Sequence, residues 1–205
     1  MATKILIVYY SATGSNTQLA KWAQIAAEAA GAEVRLRKVQ ELAPAAAIDS
    51  NPLWRQNVDA TATIPEASSN DLEWADALVF ASPSRFGIMA SQMKQFLDLQ
   101  GGLWAQGKLA NKFVTALSTA QNPNGGQEHV IHSIYTVMQH WGAIIVPAGY
   151  VNPSTFAAGG NPYGSSATID GEGVMQNAEA VKRAVGDQVK RLLTLTNAYL
   201  KGLST

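Results

Sequence analysis

The chain has 205 residues, 47% of them hydrophobic and only 15% charged, with 15 Lys plus Arg against 15 Asp plus Glu. That length favours one large domain, the shortage of charge excludes a disordered polyelectrolyte, and a formal net charge of zero leaves no basic field for a phosphate backbone, so nucleic acid is not an expected partner. With no cysteine there are no disulfides, thiolate metal sites, iron–sulfur clusters or cysteine nucleophiles, which leaves redox chemistry to a bound cofactor.

In chain order, Ile5 to Tyr10 is an unbroken β-branched and aromatic run, the pattern of a central strand buried on both faces of a parallel sheet. The run is too short for a secretory leader, and no apolar stretch reaches the ~18 residues that span a bilayer, so a soluble cytoplasmic protein without membrane insertion is expected. Ser11 to Thr17 is a small, turn-forming segment with capping residues, after which Leu19, Ala23, Ala26, Ala27 and Ala30 recur at helical spacing until Gly31. Glu33 to Val39, Ala77 to Ser82, Lys112 to Ser118 and Ala143 to Pro147 read as further strands, and Met89 to Leu99, Glu128 to Trp141 and Asn177 to Leu200 as helices. The alternation predicts a five-stranded, doubly wound α/β sheet with helices on both faces, in one domain spanning residues 1–205. Two connections, at 43–70 and 148–173, are too long to be plain loops and point to function or assembly; Trp54 and Phe156 within them call for cover that a partner subunit could supply.

Ligands bind open α/β sheets at the carboxyl ends of the strands, so the loops after the first, third and fourth strands are the candidates. The first offers hydroxyls from Ser11, Thr13, Ser15 and Thr17, the Asn16 amide and the bare backbone of Gly14, with no Lys or Arg. Backed by a helix N-terminus, such a loop can wrap the dianion of a single phosphate monoester with neutral donors; a ligand-free helix cap is the competing reading. After the third strand, Pro83, Ser84, Arg85, Phe86 and Gly87 combine a fixed backbone with a flat apolar wall suited to the edge of an aromatic heterocycle, although a surface ion pair also explains Arg85. After the fourth strand, the run from Ser118 through Thr119, Ala120, Gln121 and Asn122 to Gly125 and Gly126 opens a helix whose free N–H groups can stabilise charge developing on a ring.

Other matches are discounted. The Gly102 to Leu109 segment lacks the Ser/Thr of a P-loop and has no strand before it. His129 and His132 lie one turn apart with no third ligand at metal-site spacing, so no metal is expected. His140 sits at a predicted helix C-terminus that favours its cation, which suits either a proton donor or a plain cap. Trp104, after two glycines, reads either as core or as a stacking surface.

Taken together, Tyr9-Tyr10-Ser11 with Gly14, Pro83 to Gly87 followed by Gln92-Met93 and Phe96-Leu97-Asp98, Gly101 to Trp104, Gly125 to Glu128, His140, and Val146-Pro147 with Gly149-Tyr150 resemble the tryptophan-repressor-binding-protein (WrbA-type) NAD(P)H:quinone oxidoreductases over nearly the whole chain. The resemblance implies a flavodoxin-like fold with strand order 2-1-3-4-5, bound FMN, NADH or NADPH as co-substrate, a quinone as acceptor and a homotetramer. It places Ser11 to Asn16 on the FMN phosphate, Ser84, Arg85 and Phe86 along the isoalloxazine, Thr119 to Gly126 on its pyrimidine side, and His140 and Trp104 in the ring pocket, with His140 a proton donor to the quinol oxygen. The chain departs from that pattern at Thr13, where relatives carry the Tyr that meets the nicotinamide, and at Ser15, where they carry His. It also departs in the run Ala120 to Pro123, where relatives are richer in Gly and Thr. The competing reading is a non-enzymatic FMN carrier or interaction module, which the zero net charge disfavours because carriers gain from charge-steered docking.

Overall fold

The computed structural model describes residues 2–203. In chain order the elements are β1 (Lys4–Tyr9), α1 (Ser15–Ala29), β2 (Glu33–Lys38), α2 (Ala45–Asp49), α3 (Pro52–Ala60), α4 (Ser69–Trp74), β3 (Ala77–Arg85), β4 (Ile88–Met89), α5 (Ser91–Asp98), α6 (Gly101–Ala105), β5 (Phe113–Ala120), α7 (Gln127–Trp141), β6 (Ile144–Ile145), α8 (Pro153–Ala157), β7 (Ser166–Thr168) and α9 (Ala178–Gly202). The sheet runs β2-β1-β3-β5-β6, all parallel, which is the order 2-1-3-4-5 for the five strands read from sequence.

The apolar opening run is buried on both faces because alternate side chains enter two separate cores. Leu6 and Val8 join Leu78, Phe80 and Val114 under α5 and α7, whereas Ile5 and Ile7 join Val79 and Leu117 under α1 and α9. Each fully buried large side chain stabilises the fold by about 1.5–3 kcal/mol, so the register of β1 between β2 and β3 is strongly fixed. A one-residue slip would exchange the two cores.

Three features go beyond the sequence reading. β3 runs on to Arg85 and folds back on β4, pairing Ser84 with Met89 and Arg85 with Ile88, so Met89 is in a strand and the following helix starts at Ser91. The edge next to β5 is filled by two segments: β6 pairs with Phe113 and Val114, and β7 with Ser118 to Ala120. Pro147 and Gly149 interrupt the ladder between them, and the connection leaves the sheet before returning to finish the edge. The connection at 43–70 is helical rather than irregular: Pro44 precedes α2, and the Asn51 side chain caps α3 by accepting from Leu53 N and Trp54 N at 3.0 and 3.3 Å.

Candidate functional site

At the carboxyl end of β1 the chain turns into α1 through Gly14, whose φ of +95° is a left-handed conformation that a side chain would strain. Ser11 Oγ accepts from Gly14 N at 3.1 Å and Asn16 N at 3.2 Å, which ties the turn to itself and leaves the hydroxyl proton free to donate. Asn57 of α3 buttresses the turn: its Nδ2 donates to Ser11 O at 2.8 Å and its Oδ1 accepts from Thr17 Oγ1 at 2.9 Å. Asn16, fully buried, donates from Nδ2 to Thr119 Oγ1 at 2.8 Å, and Ser15 Oγ lies 3.2 Å from the same oxygen. Asn16 Oδ1 is buried without a hydrogen-bond partner. A buried acceptor left unpaired costs about 1–3 kcal/mol, which a bound donor would recover.

The β3–β4 turn carries Phe86 and Gly87, both with positive φ (+54° and +87°), and Phe86 is fully exposed. Ser84 braces the turn by donating to Gly125 O and accepting from Gly87 N at 3.2 Å. The loop after β5 packs against this turn so closely that a Cβ on Gly126 would lie 2.7 Å from Gly87 Cα. Thr13 and Ser15, Pro83 to Gly87, and Thr119 to Asn122 with Gly125 therefore line one cleft of about 580 Å³. Ser11, Gly14, Asn16 and Gly126 stand behind it and hold the three loops together. Among the described residues, Arg85 is the one cationic side chain lining this cleft, and Asp170 the one acidic side chain.

A second groove, of about 1030 Å³ between α5 and α7, meets the first at Trp54, Arg85 and Phe86. Beside the junction, Glu41 accepts from Tyr10 OH (3.1 and 3.3 Å), Gln92 Nε2 (2.9 Å), Trp54 Nε1 (3.0 Å) and the N–H groups of Leu42 (2.9 Å) and Ala43 (3.0 Å). Burial opposes the charge on Glu41, but the Ala43 N–H and the Gln92, Trp54 and Tyr10 side chains outweigh it and hold the carboxyl below its ordinary range. Burial, reinforced by the Glu41 charge, drives the Tyr10 hydroxyl far above its ordinary value, so it stays protonated.

His140 and Trp104 lie elsewhere. The Trp104 indole N–H donates to His140 O at 2.9 Å, which places both at the far end of α7. The thirteen helical steps from Gln127 to His140 span about 20 Å, so neither reaches the cleft of its own chain. His129, discounted in the sequence, instead lines the second groove with His132. The residues missed from sequence are Trp54 and Leu53 of α3, Asn51 before it, and Ile169, Asp170, Gly171 and Gly173, all on the cleft wall. The one signal was the presence of large apolar residues such as Trp54 in connections too long to be plain loops, residues that called for cover.

A family model described as NADPH-dependent FMN reductase matches residues 3–158. A protein of Deinococcus radiodurans named NAD(P)H dehydrogenase (quinone) is 48% identical, over 96% of this chain and 97% of its own length. One of the same name from Brucella anthropi is 38% identical over 94% and 96%. Among solved structures, a flavodoxin, WrbA-like protein from Agrobacterium tumefaciens superposes with a TM-score of 0.65 at 17% identity, covering 96% of this chain and 99% of that one. Oxidised flavodoxin 2 from Bacillus cereus gives 0.59 at 15% identity, covering 92% and 99%. The fold is thus flavodoxin-like.

Proposed function

The chain belongs to the NADPH-dependent FMN reductase family, and from that premise we propose that it is an FMN-dependent NAD(P)H:quinone oxidoreductase, reducing quinones to quinols by two electrons in one cleft that both substrates use in turn. The observation that carries the cofactor assignment is the orphaned Asn16 Oδ1 at an uncharged helix N-terminus, next to the hydroxyls of Ser15 and Thr119. Those residues fit FMN: Thr13, Ser15 and the α1 amides would take the phosphate, and a ribityl hydroxyl would satisfy Asn16. When bound, FMN supplies two-electron transfer between nicotinamide and quinone. The chain would orient the ring between the β3–β4 turn and the loop after β5, which Gly126 lets pack closely together, and would shield it from water.

His140 and Trp104 act on the quinone in this reading, and because both sit a helix length from their own cleft, a second copy of the chain must deliver them. Exposed aromatics support such an assembly, a homotetramer: Phe86, Trp104 (56% exposed), Tyr150 and Phe156 (62%). Trp54, by contrast, finds cover within its own chain. No described helix is long and apolar enough to cross a membrane, and we place the enzyme in the cytoplasm. Anaerobic mixing of the FMN-loaded protein with NADH or NADPH tests the function. Rapid bleaching of the yellow colour, reversed by benzoquinone, is expected, and a colour indifferent to both nicotinamides reduces the protein to a flavin-binding module.

A further inference from the structure

We infer that Trp54 is the outer, ring-facing wall of the cofactor cleft and that Glu41 is the positioning residue that holds it there, an inference that rests on the flavin reading above. Trp54 lines both the cleft and the groove between α5 and α7, so its indole stands where the two meet. Its only donor, Nε1–H, is committed to Glu41 Oε2 at 3.0 Å. What remains to face a ligand is the π surface and the carbon edge, which stack on a planar ring and form no hydrogen bond to it.

Glu41 is suited to this restraint because every group around it donates. Tyr10 comes from the end of β1, Gln92 from α5, Trp54 from α3, and two backbone N–H groups from its own loop. One carboxylate therefore ties the inserted helix α3 to the sheet and to α5 at the mouth of the cleft. An amide in its place would turn an NH2 group toward at least one of these donors, leaving two donors opposed and one unpaired. Elsewhere α3 meets the cofactor loop through Asn57, which buttresses Ser11 and Thr17 but leaves the indole free to swing.

The test compares Glu41→Gln, Trp54→Phe and Trp54→Leu with the wild-type chain. In the ligand-free protein, the Trp54 Nε1–H resonance, assigned by its loss in Trp54→Phe, is expected to shift in Glu41→Gln and to exchange with solvent about tenfold faster, as loss of about 1.4 kcal/mol of local protection requires. On FMN titration the same resonance moves in the wild type, and bound-flavin fluorescence, quenched by the adjacent indole, rises in Trp54→Leu. In turnover, Glu41→Gln and Trp54→Leu each raise the quinone KM about tenfold with little change in kcat, and the double variant is no worse than Trp54→Leu. If Glu41→Gln does not fold, judged by circular dichroism, Trp54→Phe carries the turnover arm of the test, because it deletes the donor to Glu41 and keeps an aromatic ring, and a quinone KM equal to that of the wild type then overturns the restraint. A Trp54 resonance unmoved by bound FMN, or additive effects in the double variant, overturns the inference. If the wild type takes up no FMN, the flavin reading and the wall role fall together, and the ligand-free spectrum alone decides whether Glu41 restrains Trp54.

Discussion

Asn16 Nδ2 and Thr119 Oγ1, 103 positions apart in sequence, are joined by a 2.8 Å hydrogen bond that locks the first turn of α1 to the end of β5. The two loops proposed to grip the cofactor are thus one unit before any ligand arrives. Thr119→Val removes the acceptor, leaves the buried Asn16 amide unpaired and strips a neighbour from Ser15. The expected cost is about 1–3 kcal/mol, or a Tm lower by roughly 2–4 °C for each kcal/mol, with FMN affinity reduced about tenfold or more. Thermal unfolding of the ligand-free chain and a calorimetric FMN titration measure both. Wild-type values in the two assays would show that the loops are organised independently.

The cleft offers its phosphate site neutral donors and a helix N-terminus, with Arg85 on the opposite turn. Affinity then depends on amide and hydroxyl contacts to a dianion rather than on ion pairs. Riboflavin, which lacks the phosphate, is expected to bind at least about 100-fold more weakly than FMN, the equivalent of two charge-assisted hydrogen bonds at about 1.5 kcal/mol each. The same geometry predicts a shallow dependence of FMN affinity on salt, since no lysine or arginine pair is there to be screened. Parallel titrations of the two flavins at low and high ionic strength decide it, and equal affinities would remove the phosphate from this loop.

Much of the fold was legible because burial leaves a residue pattern. The unbroken run at Ile5 to Tyr10 could only be a strand covered on both faces, and Gly31 marked the end of α1. The three loops that line the cleft were legible too, since each follows a strand and is rich in residues that tolerate tight turns. The β3–β4 hairpin was not, because its turn residue Phe86 adopts a left-handed φ of +54° that a side chain normally avoids. β6 fell within the strand read at Ala143 to Pro147, but the second half of that edge was hidden because β7 is a three-residue segment beyond a long excursion and carries no strand pattern of its own. Trp54 and Glu41 escaped notice as site residues because what unites them is one carboxylate shared by three elements, and no local spacing encodes that.

Gly126 is where a side chain cannot be added cheaply. Its φ is +87°, and a Cβ would come within 2.7 Å of Gly87 Cα, so strain and a backbone clash act together. Gly126→Ala is expected to lose about 1–3 kcal/mol of stability and to open the contact between the β3–β4 turn and the loop after β5. FMN binding should weaken more in this variant than in Gly102→Ala, whose Cβ meets nothing. Equal FMN affinity in the two variants would mean that this contact does not shape the site.

Asp71 gives the fold an acid-sensitive anchor. Burial disfavours its charge, but Ser68, in a capping box, and Arg37 outweigh that and hold its carboxyl below the ordinary range, with Arg35 3.1 Å away. A carboxyl depressed in the folded state contributes stability that is fully present above the unfolded value of about 3.9 and is lost as pH falls through the folded value. Asp71→Asn should therefore be less stable than wild type by about 1–3 kcal/mol at pH 7, with the gap closing below about pH 4. Denaturant midpoints across pH 2–8 (about the carboxylate range and above it) give the comparison. A gap independent of pH would assign the effect to packing rather than to charge.

His140 stands about 20 Å along α7 from the loops proposed to hold FMN, with its carbonyl bound by the exposed Trp104. If it serves the quinone, it serves the cleft of another subunit, and that has a consequence no single-chain site shares. His140→Asn should lower quinone turnover while leaving FMN affinity unchanged, and Thr119→Val should weaken FMN binding while leaving His140 intact. In the proposed assembly, mixed oligomers of the two would contain clefts with a wild-type flavin loop facing a wild-type His140, so co-refolded chains should exceed the activity of either variant alone. Analytical ultracentrifugation must show the same mixture assembled, because a monomer has no partner to supply the histidine. Activity of the mixture equal to the average of its two parents would confine catalysis to one chain and leave His140 a helix cap.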